Sequence, residues 1–478
     1  EDLKSEFAPG ILQLLKLPKL GAKKLATLRD KLGIESISDL EAACKEGKIS
    51  SLSGFGQKTE ENFLKAIEKF KEYSMLTLFD VAEQTALLLL QELLGRELIE
   101  QGEPTGQVRR KLEVIETIEL AVSCRKPEEF STKLENAMQE FTVKQLSPQK
   151  VSLHSAASPS VTIHIFSPEN YPKGLFDTTG SAEHLSSLKE LAASTSTSIP
   201  QYFSEETECY SLLGLEPKPP ERREAEFNLK DDNSELLEVS DIKGVIHVHS
   251  TYSDGADSLQ RLAEAAIEKG YHYLGITDHS QTASYAGGLS IDEIKAQHEE
   301  IDSLNEQLAP FRIFKGIESD ILSDGSLDYS DKVLESFDFV IASIHSGFSK
   351  DQKKMTERVV KALENPYSNI LGHLSGRLLL SRESYALDTE RVLEVAAANG
   401  VAVEINANPK RLELDWRYHA LAKKLGVLIP ICPDAHAVEQ IDYIRYGVNI
   451  ARKGGLTKAD VPNAWSLEEF EQFIRGEK

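Results

Sequence analysis

From Gly244 onward the chain alternates short apolar runs with amphipathic stretches of about helix length, and seven of those runs stop at polar, metal-capable side chains. Such alternation predicts repeated βα units around a parallel sheet. The runs end at H-V-H-S (247–250), I-T-D-H-S (276–280), G-I-E-S-D (316–320), A-S-I-H-S (342–346), L-G-H-L-S-G-R (371–377), E-I-N-A-N-P (404–409) and C-P-D-A-H (432–436). In a barrel of parallel strands these carboxyl ends converge on one face, where such barrels keep their sites. Of the 12 histidines, His247, His249, His279, His345, His373 and His436 sit at strand ends. Core packing alone would not place them so. Any single one could be a hydrogen-bonded interior histidine, but convergent imidazoles and carboxylates are the signature of a metal centre.

The first of these ends, V-I-H-V-H-S-T-Y-S-D-G over residues 245–255, sets the pattern. On a regular strand, the two-residue spacing puts His247 and His249 on one face and Ile246 and Val248 on the other. Asp254 follows in a polar turn closed by Gly255, near enough to bring a carboxylate to the same site or its neighbour.

With 478 residues the chain is long enough for two to four domains. Cys44, Cys124, Cys209 and Cys432 have no C-x-x-C spacing, which predicts reduced thiols in a cytoplasmic protein. The most apolar run, residues 85–94, is too short to span a bilayer, so no membrane partner is expected. The net charge of -23 argues against a general nucleic-acid coat. Residues 1–72, however, hold thirteen basic and twelve acidic side chains, so DNA contact is expected there or in a metal-neutralised cleft.

Residues 11–70 have helical spacing interrupted by two similar turns, L-P-K-L-G-A-K-K (17–24) and L-S-G-F-G-Q-K-T (52–59). They resemble a tandem helix-hairpin-helix module, whose glycines let backbone N–H groups approach a DNA phosphate. The resemblance implies Gly21, Gly54, Gly56 and Lys58 as DNA-binding positions. Lys19 stands where the family has its leading glycine. The alternative is two hairpins that only pack together.

A long helix is expected over 73–96, then strands over 112–122 and 160–166. Together with G-Q-V-R-R-K-L-E-V-I-E-T-I-E-L-A-V (106–122), V-T-I-H-I-F-S-P-E-N-Y (161–171) and T-G-S-A-E-H-L-S-S-L-K-E-L-A (179–192), this order resembles the α+β palm and thumb of a family X DNA polymerase. Such a palm needs aspartates on adjacent strands to hold two metals. Here the family's G-D-x-D is replaced by Glu116, Thr117, Ile118 and Glu119, the third aspartate by Thr162, and the nucleotide-binding serine by Gln107. The palm is therefore expected to be degenerate, a scaffold without nucleotidyl transfer, and the family's amino-terminal lyase domain to be absent. Stacked prolines in P-K-P-P (217–220) and the charged sequence after them read as a linker over 214–240. The expected organisation is fingers-like hairpins (1–72), palm and thumb (73–213), linker (214–240) and a distorted (β/α)7 barrel (241–478).

Residues 241–478 resemble a PHP (polymerase and histidinol phosphatase) phosphoesterase, of the kind found at the end of bacterial family X polymerases. The resemblance implies three divalent ions: one on His247, His249, Glu318 and Asp434; a second on His345 and His373 with Glu318 bridging; a third on Asp254, His279 and His436. Mixed histidine and carboxylate ligation suits manganese, zinc or iron. Such ions lower the pKa of bound water and offset charge on phosphoryl oxygens. Arg377 and Arg411 are expected to grip phosphate, and Asp278 and Asp320 to orient ligands, with direct binding by Asp278 an alternative. Cys432 reads as a packed small residue.

The leading expectation is a metal-dependent phosphodiesterase acting on single-stranded or gapped DNA as a 3′-5′ exonuclease. The alternatives are a phosphomonoesterase of the histidinol phosphatase type and a non-catalytic DNA-binding adaptor.

Overall fold

The computed structural model describes residues 9–155, 159–231, 233 and 235–476. The chain divides into two compact units, residues 1–77 and 78–478.

In the first unit, helices Pro9–Leu14, Ala22–Leu32, Ile37–Lys45 and Gln57–Ser74 surround Leu14, Leu20, Leu28, Leu40, Ile49 and Phe63. The two similar turns adopt the same local form. Leu20 and Phe55 are buried at matching positions of their turns, and Gly21 and Gly56 cap the following helices. Gly54 has φ 89°, and Lys19 at the matching position has φ 67°, so the first turn keeps the left-handed geometry without its glycine.

The helix expected over 73–96 is broken. One helix ends at Ser74 and another, Phe79–Gly95, begins the second unit. It packs on a five-stranded sheet of β1 (Gln101–Thr105), β2 (Ile118–Ser123), β3 (Thr142–Ser147), β4 (Lys150–His154) and β5 (Val161–Phe166), in the order β1-β2-β5-β4-β3. Only β2 and β5 run parallel. Side chains alternate across the sheet: Leu120 and Val122 join the large core, while Ala121 meets Tyr171 and Leu175.

Residues 214–240 do not form a loose linker. Glu221, Arg222, Arg223 and Glu224 are buried. Arg222 Nη1 donates to the Lys453 carbonyl at 2.7 Å, and Arg452 Nε to Glu221 at 2.7 Å. The Lys453 ammonium, fully buried, donates to Glu224 and to the Arg110 carbonyl at 2.9 Å each. Mixed charge, which reads as solvated in sequence, here forms a polar seam through the second unit.

The remaining residues build a curled parallel sheet: β6 (Gly244–Val248), β7 (Tyr273–Ile276), β8 (Arg312–Asp320), β9 (Phe339–Ser343), β10 (Ile370–Leu371) and β11 (Ala402–Val403), in sequential order. After Glu404 the sixth strand resumes as β12 (Ile405–Asn406), which pairs with β13 (Ile431–Cys432). His249 N donates to Ala435 O at 2.8 Å and Ala435 N to His247 O at 3.2 Å, bringing the last strand back beside the first. Inside lie Ile246, Phe314, Phe339, Ile341, Ile370 and Cys432, closed below by Phe470 of the terminal helix Leu467–Ile474. Their apolar volume leaves the strands' carboxyl ends as the place for polar chemistry.

Candidate metal centre

A β-bulge decides how the first two histidines face. The register of β6 against β7 slips between Ile246 and Val248, and His247 takes φ 65°. Ile246 therefore points into the barrel and Val248 out to the surrounding core, and His247 and His249 both reach the carboxyl-end face. The regular alternation expected from sequence is thus corrected: Ile246 and Val248 do not share a face. Bulges re-aim side chains in this way beside sites. Asp434 also has positive φ, 52°. A non-glycine residue in the left-handed region carries strain that the surrounding structure must hold.

All nine donors meet. Glu318 Oε1 lies 2.8 Å from His373 Nε2, 3.3 Å from His247 Nε2 and 3.4 Å from His345 Nε2. Glu318 Oε2 lies 2.9 Å from His279 Nδ1. Asp434 Oδ1 is 3.3 Å from His249 Nε2 and 3.7 Å from His247 Nε2. Asp254 Oδ1 is 3.3 Å from His436 Nε2 and 3.5 Å from His279 Nε2. Two ligand atoms sharing an ion at ordinary bond lengths stand about 3.0–3.5 Å apart, so these spacings fit shared cations. His279 belongs to two neighbourhoods, one with Glu318 and His345 and one with His249, Asp254 and His436.

Among the described residues, His247 Nε2, both ring nitrogens of His249, His279 Nδ1 and Glu318 Oε2 are buried without a hydrogen-bond partner. Each such orphan costs about 1–3 kcal/mol, and cations would satisfy them together. Burial alone would raise the Glu318 carboxyl, but His345, His247 and His279 hold it well below the usual range. Burial pushes His249 down to about 3. It also opposes protonation of His345, yet Glu318 and Asp320 lift that ring to about 10.

Around the donors runs a layer of orienting groups. Glu404 accepts from His247 Nδ1 at 2.7 Å and from the His373 backbone N–H at 2.6 Å. Asp320 accepts from His345 Nδ1 at 2.5 Å, and Asn406 donates to Asp434 at 3.1 Å. A carboxylate on one ring nitrogen turns the other toward an ion. Sequence reading placed Glu404 at a strand end without a role. Its signal was that it interrupts the sixth strand.

The arginines differ from expectation. Arg377 spends its fork on the protein, donating through Nε to Arg411 O at 2.7 Å, through Nη1 to Asp415 at 3.0 Å and through Nη2 to Leu412 O. It holds the Arg411 loop rather than presenting a free fork. Arg411 Nη1 lacks a hydrogen-bond partner among the described residues, and its Nε stands 3.5 Å from Asp434. Asp278 is likewise committed: it accepts from Ser250 N at 2.8 Å, Ser250 Oγ at 2.6 Å, Ser253 Oγ at 2.5 Å and Gln297 at 2.6 Å, and so shapes the loop that carries Asp254. Cys432 is buried in the barrel, its thiol pushed well up by burial and by Glu404.

In the five-stranded sheet, Glu119 of β2 stands opposite Thr162 of β5 and faces His164 Nε2 at 2.9 Å. Gln107 accepts from the Glu116 backbone N–H at 2.7 Å, and Arg109 forks onto Glu206 at 2.7 Å through both Nη atoms. In the first unit Gly21 and Gly56 cap their helices without side-chain bonds, and Lys58 is exposed in the first turn after Gly56.

Residues 246–408 match the PHP domain and residues 11–69 the SAM-like helix-hairpin-helix tandem. The chain is 37% identical over 491 residues, 99% of its length and 86% of the relative's, to the "DNA polymerase/3'-5' exonuclease PolX" of Bacillus subtilis. It is 28% identical over 244 residues, 48% of this chain and 94% of the relative, to a "Probable phosphatase" of Thermoanaerobacter sp.. Among solved structures it is similar to Leishmania infantum polymerase beta, with 14% identity and a TM-score of 0.28 over 45% of this chain and 97% of that one. With its hairpin tandem, its carboxy-terminal PHP domain and this near full-length kinship, the chain belongs to the PolX family of family X DNA polymerases.

Proposed function

We propose that the chain is a metal-dependent phosphodiesterase that removes nucleotides from a 3′ end of DNA, single-stranded or gapped, in the cytoplasm. One observation carries the reading: nine donors converge at spacings that fit shared cations, and several of their buried imidazole nitrogens and a carboxylate oxygen have no hydrogen-bond partner among the described residues. His247, His249, Glu318 and Asp434 would hold one ion, His345 and His373 with Glu318 a second, and Asp254, His279 and His436 a third, as manganese, zinc or iron. Bound there, such ions supply Lewis acidity at phosphoryl oxygens and acidify water. Glu404 and Asp320 fix the ring orientations of His247 and His345. Arg411, whose Nη1 lies 3.9 Å from Glu413 and has no hydrogen-bond partner among the described residues, receives the phosphoryl charge, and Arg377 positions it. The Bacillus subtilis relative bears the exonuclease name, which supports DNA as substrate.

In this reading Gly21, Gly54, Gly56 and Lys58 hold the duplex backbone, and residues 73–213 serve as a scaffold without nucleotidyl transfer. A lone Glu119 cannot assemble a two-metal site. Residues 1–72, 73–213 and 241–478 are the working domains, with 214–240 joining the last two.

Incubation with manganese and a 5′-labelled oligonucleotide should give products shortened from the 3′ end, abolished by chelation. No shortening, with metal occupancy verified, would end the proposal. Arg411→Ala should lower kcat/KM at least about 100-fold on bis(p-nitrophenyl) phosphate with metal content unchanged. A second reading, a phosphomonoesterase, draws support from the phosphatase-named relative that spans the PHP region. It predicts faster turnover of p-nitrophenyl phosphate than of its diester.

A further inference from the structure

Tyr285 is 71% exposed, an unusual state for a large aromatic ring, and its centroid lies 6.5 Å from that of His279 at the edge of the donor cluster. It is held rigidly. Ser284–Ala286 forms a single 3-10 turn, and the Ala286 N–H donates to Ala283 O at 2.9 Å. Gly287 follows with φ 69°, and a Cβ on Gly288 would sit 1.9 Å from Ser280 O, so two glycines let the turn press onto the strand end beneath it. Thr282 N donates to Asp328 at 2.6 Å and Gln281 N to the Tyr329 hydroxyl at 3.0 Å, anchoring the start of the loop. A large aromatic face is thereby presented to solvent from a fixed backbone.

A second aromatic and cationic group lies on the same carboxyl-end side. Arg382 lies over the Phe348 ring at 4.5 Å, and Phe348 stacks on Tyr385 at 6.0 Å with planes 13° apart. Asp254 and His436 are the more exposed of the nine donors, so the cluster opens to solvent on the side of Tyr285. An exposed ring beside a phosphate-handling centre is what a strand end needs: aromatic faces stack bases without reading sequence.

We propose that Tyr285 is a base-stacking platform that seats the terminal base of a single-stranded end beside the metal centre. This rests on the phosphodiesterase reading and narrows its substrate to strands that carry a base at the scissile nucleotide. A base-free small phosphate would gain nothing from it.

The test compares two phosphorothioate oligonucleotides, one ending in a 3′ base and one in a 3′ abasic residue, in fluorescence anisotropy with manganese-loaded protein. The wild type should bind the base-bearing end about 5- to 100-fold tighter, Tyr285→Ala should bind both equally, and Tyr285→Phe should restore the preference. Any contribution of the hairpins cancels in the comparison. Equal affinities in the wild type, or a preference that survives Tyr285→Ala, would overturn the assignment. Hydrolysis of bis(p-nitrophenyl) phosphate by the wild type is followed separately: its absence sinks the parent reading, whereas hydrolysis together with equal affinities for the two ends overturns the base-stacking assignment alone.

Discussion

Glu404 is the residue on which two candidate ligands depend, since it receives the His247 ring and the His373 backbone together. Glu404→Gln should weaken metal affinity about 10- to 100-fold, read by competition with a fluorescent chelator, while circular dichroism stays unchanged. A different buried ring sets a pH limit. Burial, with Arg223 nearby, pushes His184 down to about 4, and its Nε2 meets the Tyr210 hydroxyl at 2.9 Å. The folded imidazole stays neutral where the unfolded one, near its ordinary value, protonates. Its stabilisation is complete above about pH 6.5 and lost by about pH 4, a loss of about 2 kcal/mol by pH 5. Urea unfolding at pH 7 and pH 5 should show that drop, reduced in His184→Gln. The histidines at strand ends were legible because an apolar run ending in a ligating side chain is a local pattern. The division of labour between Arg377 and Arg411 was not, because two arginines look alike until their partners are known.

At the level of elements, β6 shows what periodicity can and cannot tell. Its apolar run and its H-x-H were readable, but the bulge at His247 reverses which neighbours share its face. A bulge is a register event between two strands, so it leaves little trace in either strand alone. The strands β1, β3 and β4 were missed as well. β1 contains Gly102 and Pro104, and β3 is mostly exposed, so neither has a full apolar alternation. The same sheet supports a functional prediction. With magnesium or manganese, a primed template and deoxynucleoside triphosphates, primer extension should be undetectable. Glu119→Gln should leave the hydrolytic rate within twofold, since Glu119 faces His164 and not the donor cluster.

For the whole molecule, the segment that reads as a linker is the least predictable from sequence, because its partners lie more than a hundred residues away on either side. Arg110 precedes it, Lys453 follows it, and both meet at Glu224. Lys453→Met would keep the volume and leave Glu224 and the Arg110 carbonyl short of a donor. It should destabilise residues 78–478 by about 3–5 kcal/mol, visible as a lower denaturant midpoint. The same seam predicts that the five-stranded sheet and the barrel melt in one calorimetric transition. Cutting away the polymerase-like module would take the Arg110 carbonyl and guanidinium from this cluster and leave the interior ammonium with Glu224 and the Glu221 carbonyl, so the barrel shares one buried charge centre with the module beside it.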